Sequence, residues 1–223
     1  MVKSARKEFV ACCYCGQPAT TRDHVPTRKL FPQPRPSDLI TVPACATCNN
    51  ASSKDEEYFI HVVLSHVEAD SHAAQTLRRQ LFSKPATARR VRMAQRMLSA
   101  MLPITKVDPR LGELRAFEIQ PEPFERSVDK IGRGLYAHVY GTPMPPDRVS
   151  EVILNPSEDL MKNAVVRAVI SNGLGRRIGD GVFEFRIDRD ETRRVALCVL
   201  WFFQDIVVIC NMIEPETMSP AQQ

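Results

Sequence analysis

The sequence predicts an α+β fold with three parts, namely a loop-rich N-terminal module, a helical middle, and a small C-terminal antiparallel sheet with helices. Two Cys-x-x-Cys pairs lie in a proline-rich stretch before residue 50. A basic stretch with helical periodicity follows, and the last third of the chain holds short apolar runs separated by turns. We therefore expect boundaries that divide the chain into residues 1–60, 61–107 and 108–223.

The bulk composition is that of an ordinary globular protein. Of the 223 residues, 43% are hydrophobic and 25% are charged, which is typical of soluble domains. The longest apolar run, residues 195–203, is about half as long as a membrane-spanning helix. The N-terminus carries basic residues but not the apolar segment of a secretory signal. We expect a cytoplasmic protein with no membrane partner.

Seven cysteines in a chain of this type favour free thiols and metal sites over disulfides. Four of them form two Cys-x-x-Cys pairs that are separated by 29 residues. Two such pairs supply the four thiolates of a tetrahedral zinc site, and a site closed in this way is structural rather than catalytic. The predicted zinc ligands are Cys12, Cys15, Cys45 and Cys48.

Positive charge is concentrated in the N-terminal half of the chain. Residues 1–54 carry eight Lys or Arg against three acids, and residues 71–107 carry eight Lys or Arg and no acid. Such clustering is expected for a protein that binds a polyphosphate partner. Arg89, Arg92 and Arg96 are the predicted phosphate contacts, and a solvated helix face is the alternative.

The first two parts contain one predicted strand and two predicted helices. Residues 39–45 alternate as a short strand. A helix is expected to begin near Ala51, with a serine as its N-cap and acidic residues in its first turn. Residues 88–102 place apolar side chains on one stripe and arginines on another, which indicates a second helix that Pro103 ends.

The last part contains a predicted helix and several predicted strands. Helical spacing of apolar residues covers 124–140, although two glycines interrupt it. The final two apolar runs are separated by Phe203–Asp205, a length that favours a hairpin. We expect a small antiparallel sheet packed on one or two helices, with strands at residues 149–154, 182–187, 194–203 and 205–213.

Four segments of the N-terminal part resemble the HNH endonucleases, the ββα-metal nuclease family. The resemblance covers residues 12–58, about a quarter of the chain, and implies a zinc-stapled, treble-clef-like module of two strands and a helix. The segments are CYCG within residues 12–16, RDHVP at 22–26, LITVPACATCNN at 39–50 and SKDEEYF at 53–59.

The resemblance also implies roles for individual residues. Asp23 matches the first ligand of a divalent cation, His24 matches the general base, and Asn49 matches the last ligand, with Asn50 as its competitor. One position departs from the family pattern, because Asp38 stands where an Asn usually braces the backbone and the catalytic histidine. Aspartate can accept the same hydrogen bonds but cannot donate them.

The chemistry of these residue types agrees with the resemblance. A neutral imidazole can take a proton from water at pH 7, and carboxylate and amide oxygens suit Mg²⁺ or Mn²⁺. Adjacent residues on an extended chain face opposite sides, so Asp23 and His24 are not expected to form a simple ion pair.

The leading hypothesis is a metal-dependent endonuclease that hydrolyses phosphodiester bonds, most readily those of double-stranded DNA. The alternative is a non-catalytic zinc module that binds nucleic acid or protein, and the departure at Asp38 supports it. The amino-acid sequence does not predict an oligomeric state.

Overall fold

The computed structural model describes most of the chain. The described residues are 10–67, 71–83, 87–88, 91–93, 95, 101–103, 115–117, 119–192 and 195–213. They form a mixed α+β structure, as predicted, with a small antiparallel sheet and a cluster of four cysteines near the N-terminus.

Two short antiparallel strands and two helices form the N-terminal part. Strand β1 (Thr21–His24) pairs with β2 (Thr41–Ala44), so that Asp23 lies opposite Val42. Helix α1 (Ala46–Ala51) follows β2 directly, and α2 (Ser53–His66) continues from it after a one-residue break. The predicted strand at 39–45 and the helix near Ala51 are confirmed.

The middle of the chain is described in part. Helix α3 spans His72–Phe82, and a small hairpin consists of β3 (Met101–Pro103) and β4 (Arg115–Phe117). Residues 91–93 are helical, in agreement with the predicted helix at 88–102. The end of that prediction is wrong, because Met101 and Leu102 belong to β3, where they pair across the hairpin with Phe117 and Ala116. The other residues of the predicted helix lie largely outside the described residues.

A long helix, a five-stranded sheet and two short helices form the rest of the chain. Helix α4 spans Pro121–Tyr140, and the sheet has the strand order β5-β9-β8-β7-β6 with antiparallel neighbours throughout. The remaining elements are β5 (Val149–Leu154), α5 (Glu158–Lys162), α6 (Ala164–Asn172), β6 (Arg177–Ile178), β7 (Phe183–Asp190), β8 (Val195–Phe202) and β9 (Ile206–Ile213).

The predicted hairpin between the last two strands is confirmed. Phe203 and Gln204 have φ angles of 54° and 63°, and the backbone N–H of Asp205 donates to the carbonyl of Phe202 at 3.2 Å. Two central residues with positive φ are characteristic of a type I′ turn, whose twist matches that of paired strands. This turn sets the register that places Cys198 opposite Cys210.

Helix α4 lies between the N-terminal hairpin and the sheet. Two glycines allow this close packing, because a Cβ atom at Gly132 would lie 3.0 Å from the Cys210 sulfur and one at Gly134 would lie 2.5 Å from a methyl group of Val25. The predicted helix at 124–140 is therefore confirmed, and its glycines have a packing role. Gly141, with φ of 72°, ends the helix in the left-handed conformation.

One buried cluster joins the N-terminal part to the sheet. The ring of Phe59 on α2 stacks on Phe124 of α4 at 5.4 Å and meets Phe202 of β8 edge-on at 5.2 Å. The predicted boundary at residue 60 thus falls inside α2, next to one of the central residues of this core.

The opposite face of the sheet is covered by α5 and α6, two helices that sequence analysis did not predict. Val166 and Val169 of α6 pack against Val199 and Ile209 of the sheet. Among the described residues, no helix has both the length and the apolar character that crossing a membrane requires.

Candidate metal centre and the Asp23–His24 site

The four predicted zinc ligands come together in the structure. All four sulfur atoms lie within 4.8 Å of one another, and those of Cys15 and Cys45 are 3.7 Å apart. Zinc–sulfur bonds of about 2.3 Å in a tetrahedral arrangement place the sulfurs about 3.8 Å apart. The cluster therefore fits a zinc ion, which Cys12, Cys15, Cys45 and Cys48 could hold.

Local backbone structure positions each cysteine pair. The first pair lies in a tight turn in which the N–H of Gly16 donates to the carbonyl of Cys12 at 2.9 Å, and Gly16 adopts a φ of 73° that favours glycine. In the second pair, Cys45 caps α1, because its sulfur accepts a hydrogen bond from the N–H of Cys48 at 3.4 Å. Pairing of β1 with β2 then brings the two Cys-x-x-Cys pairs together.

The thiols differ in how readily they ionise. Burial by itself raises the pKa of Cys12. Backbone hydrogen bonds, of which the one with Cys45 has the largest effect, outweigh burial and bring the pKa to about 7. A thiolate is the form that binds zinc. Burial raises the pKa of Cys13 to about 12, and this residue lies outside the cluster. Cys13 is therefore a buried thiol beside the metal centre.

His24 ends strand β1, and its side chain is half-buried. Its pKa lies below the ordinary value, because burial and the positive charges of Arg28 and Arg35 outweigh the opposite effect of Asp23. The imidazole is consequently neutral at pH 7 and able to accept a proton. The two arginines also place positive charge near the ring.

Asp23 points away from solvent, and only 6% of the residue is exposed. Its Oδ1 accepts the backbone N–H of His24 at 2.9 Å. Its Oδ2 accepts the hydroxyl of Tyr14 at 3.1 Å and lies 2.7 Å from the ammonium group of Lys130 on α4. Both oxygens are therefore engaged by donors of the protein itself.

Lys130 is the residue of this site that sequence analysis missed. Its ammonium group also lies 2.8 Å from the Glu56 carboxylate and donates to the hydroxyl of Ser52. Burial lowers the pKa of Lys130, but the hydrogen bonds to Asp23 and Glu56 more than offset this and raise it. Burial raises the pKa of Glu56, while the hydrogen bond and charge of Lys130 outweigh burial and lower it.

Asn49 braces the hairpin against α1. Its side-chain amide donates to the Thr21 hydroxyl at 3.0 Å and to the Arg22 carbonyl at 3.3 Å, while Asn50 is exposed. The predicted pair of cation ligands, Asp23 and Asn49, thus has one member committed to Lys130. Because an ammonium group already balances the Asp23 carboxylate, the residues as arranged do not fit a Mg²⁺ ion there.

Asp38 lies away from His24 and joins the proline-rich loop to the C-terminal part. Its carboxylate is 3.0 Å from the Arg176 guanidinium, which also donates to the Asp38 carbonyl at 2.7 Å. The side chain that contacts the backbone of β1 is instead that of Asn49, through its bond to the Arg22 carbonyl.

The structure describes some of the arginines of the basic segment at residues 71–107. Arg78 donates to the carbonyls of Leu64 and Val67 at the C-terminal end of α2, the latter at 2.8 Å, so its charge stabilises that helix end. Arg92 is exposed, whereas Arg89 and Arg96 lie outside the described residues. Phosphate binding by these three arginines stays a prediction.

A cleft of about 1170 Å³ lies between the proline-rich loop and the C-terminal part, and neither Asp23 nor His24 lines it. Its walls are the proline-rich loop at 31–38, the start of α3, and the two turns before β7 and β9. Arg35 lines the cleft, and its charge also acts on His24, which itself lines a separate small cavity with Glu56 and Lys130. Arg177 adds a second positive charge to the lining of the cleft, whereas Asp38, Asp180 and Asp205 add negative charge.

Comparison of the chain with models of protein families, with curated proteins and with solved structures finds no match. The resemblance to the HNH endonucleases therefore depends on the quoted sequence segments.

Proposed function

We propose that this chain hydrolyses phosphodiester bonds of nucleic acid, with double-stranded DNA as the substrate and His24 as the general base. The observation that supports this most directly is the setting of His24. A neutral, half-buried imidazole ends a strand that Asn49 ties to the zinc-cluster helix, and Arg28 and Arg35 add positive charge nearby.

The proposed reaction is the hydrolysis of one phosphodiester by one water molecule. His24 accepts a proton from the water as the oxygen attacks phosphorus. A new P–O bond forms, the bond from phosphorus to the 3′ oxygen breaks, and the leaving oxygen takes a proton from solvent. The products are a 5′-phosphate and a 3′-hydroxyl. Arg28 and Arg35 stabilise the negative charge that increases on the phosphate oxygens.

The family resemblance adds a Mg²⁺ or Mn²⁺ ion at Asp23 and Asn49. Such an ion would supply a Lewis acid for the phosphate and lower the pKa of a bound water. Because Lys130 lies 2.7 Å from Asp23, we assign no step to the ion. Cleavage assays with and without added Mg²⁺ or Mn²⁺ measure the contribution of such an ion to the rate.

The positive charges that act on His24 support nucleic acid as the substrate class. Arg28 and Arg35 both act on the imidazole, and charges of this kind contact phosphates without reading the base sequence. The cleft that Arg35 lines is mixed in charge, because Asp38, Asp180 and Asp205 line it as well as Arg177.

The second candidate function is a zinc module that binds nucleic acid or protein without catalysis. The ion pair between Asp23 and Lys130 favours it, because a nuclease of the implied family needs that carboxylate for its cation. The binding hypothesis predicts that substitutions at His24 leave affinity for DNA unchanged and that no cleavage occurs under any metal condition.

The test is cleavage of supercoiled plasmid by the wild type and by His24→Ala, with Mg²⁺, with Mn²⁺ and with neither. Loss of a general base is expected to lower the rate about 10²–10⁴-fold while DNA binding and zinc content stay the same. His138→Ala is the matched control, because His138 is a second histidine whose pKa is lowered by burial and an arginine. A wild type that binds DNA but never cuts it would establish the binding module instead.

A further inference from the structure

Lys130 lies between two carboxylates in the way that a cation would. Its nitrogen is 2.7 Å from an oxygen of Asp23 and 2.8 Å from an oxygen of Glu56. These acids come from β1 and α2, so the ammonium group joins both elements of the hairpin-and-helix module to α4. A divalent cation bound by the same two acids would occupy the same position.

The coordination of this ammonium group is complete. A lysine has three N–H donors, and those of Lys130 have three oxygen acceptors, on Asp23, Glu56 and Ser52. The ring of Tyr14 covers the group, with its centre 5.5 Å from the nitrogen, and only 13% of the Lys130 side chain is exposed. Little room remains for a metal ion and its waters.

The backbone of α4 prevents Lys130 from withdrawing. Gly134 lies one turn after Lys130 and packs so closely on Val25 that an added Cβ would lie 2.5 Å from its methyl group. The helix is therefore fixed against the hairpin next to the acids. A lysine on a helix held in this way has few alternative positions for its ammonium group.

We propose that the Lys130 ammonium group, bound by Asp23 and Glu56, takes the place of the divalent cation that the family resemblance implies at Asp23, so that this chain needs no metal besides zinc at the four cysteines. Lys130 is a positioning residue, since it holds Asp23, whose Oδ1 in turn accepts the N–H of His24 at 2.9 Å. Metal-independent hydrolysis rests on the proposed function, whereas occupation of the cation position does not.

The first experiment measures Mn²⁺ binding by the zinc-loaded protein, from the loss of the electron paramagnetic resonance signal of free Mn²⁺. We expect the wild type to bind no Mn²⁺ that depends on Asp23. Lys130→Ala removes the ammonium group and opens space beside two carboxylates, so it should bind one Mn²⁺ ion. Adding Asp23→Asn to Lys130→Ala should abolish that binding.

Thermal unfolding gives an independent measurement on the same proteins. Mn²⁺ at about 100 times its dissociation constant should raise the melting temperature of Lys130→Ala by roughly 5–10 °C and leave the wild type unchanged. Lys130→Arg retains a cation and should behave like the wild type. Arg126→Ala is the matched control, because it breaks an ion pair between α4 and α2, with Asp55, that is far more exposed.

Mn²⁺ binding by the wild type that Asp23→Asn removes would overturn the proposal, and this measurement holds even if Lys130→Ala fails to fold. Failure of folded Lys130→Ala to bind Mn²⁺ would overturn it as well.

The third measurement is plasmid cleavage in buffers freed of divalent ions by a chelating resin, with zinc content verified. Undiminished cleavage there supports the proposal, and cleavage only with added Mg²⁺ or Mn²⁺ contradicts it. Absence of all cleavage overturns the proposed function but leaves the Mn²⁺ results decisive for Lys130.

Discussion

The side-chain amide of Asn49 donates to the carbonyl of Arg22 at 3.3 Å and thereby ties the first strand of the hairpin to the helix that carries Cys48. The same amide donates to the Thr21 hydroxyl at 3.0 Å. His24 lies two residues after Arg22 on that strand. Asn49 thus connects the metal centre to the candidate general base through the backbone.

Asn49→Ala should lower the free energy of unfolding by about 1–3 kcal/mol, because two hydrogen bonds are lost and the Arg22 carbonyl loses a partner. Asn50→Ala is the control, since Asn50 is exposed in the same helix, and its effect should stay within about 0.5 kcal/mol. Urea denaturation of both variants measures the difference. Equal effects of the two substitutions would show that Asn49 has no bracing role.

The protein should contain one zinc ion per chain. Cys45→Ser removes one of four clustered ligands and should release zinc and unfold the N-terminal part, because zinc binding and folding are coupled. Cys13→Ala should retain zinc, since Cys13 is buried next to the cluster but lies outside it. Elemental analysis and circular dichroism measure both outcomes, and zinc-free wild type from a chelator-free purification would contradict the prediction.

The pH dependence of cleavage should report the lowered pKa of His24. Only the neutral imidazole accepts a proton, so the rate should decline as pH falls through a pKa that lies below the ordinary value of histidine. Arg28→Gln removes a positive charge that disfavours the imidazolium, so the pKa should rise and the acid limb should move to higher pH. An NMR titration of His24 measures the same shift without activity, and an unchanged pKa in Arg28→Gln would refute the assigned cause.

Asp38→Asn should have a small effect. The Asp38–Arg176 ion pair is about half-exposed, and such pairs contribute about 1 kcal/mol or less to stability. The hydrogen bond from Arg176 to the Asp38 carbonyl survives the substitution. Asp38 contacts Arg176, and Asn49 braces the strand. Cleavage by Asp38→Asn should therefore stay within about threefold of the wild-type rate. A threefold change in rate corresponds to less than about 1 kcal/mol of activation free energy. A large gain in activity would restore the bracing role implied by the family pattern.

Local sequence patterns determined most of the secondary structure of the described residues. The strand predicted at 149–154 has those bounds in the structure, and the hairpin at Phe203–Asp205 is present. The four zinc ligands could also be identified, because the spacing of a Cys-x-x-Cys pair is itself a local feature of the backbone.

Long-range packing decided what each polar group of the site contacts. Ser52 or Ser53 was expected as the N-cap of α2, and Ser52 occupies that position. Its hydroxyl makes no capping bond, however, because it donates to Glu56 and accepts from Lys130. Asp38 was expected near His24, yet its partner is Arg176. Such contacts depend on the approach of α4 and the sheet, and no local periodicity encodes the partner of a buried charge.

The sequence by itself determined the clustered cysteines, the strand Thr41–Ala44 and the apolar strands of the sheet, because neighbouring residues specify these features. Only the tertiary structure decided that Lys130 would balance Asp23. Burial makes an unpaired carboxylate costly, and the glycines of α4 let that helix approach closely enough to supply the counter-charge. The charge balance of the site is therefore a property of the fold.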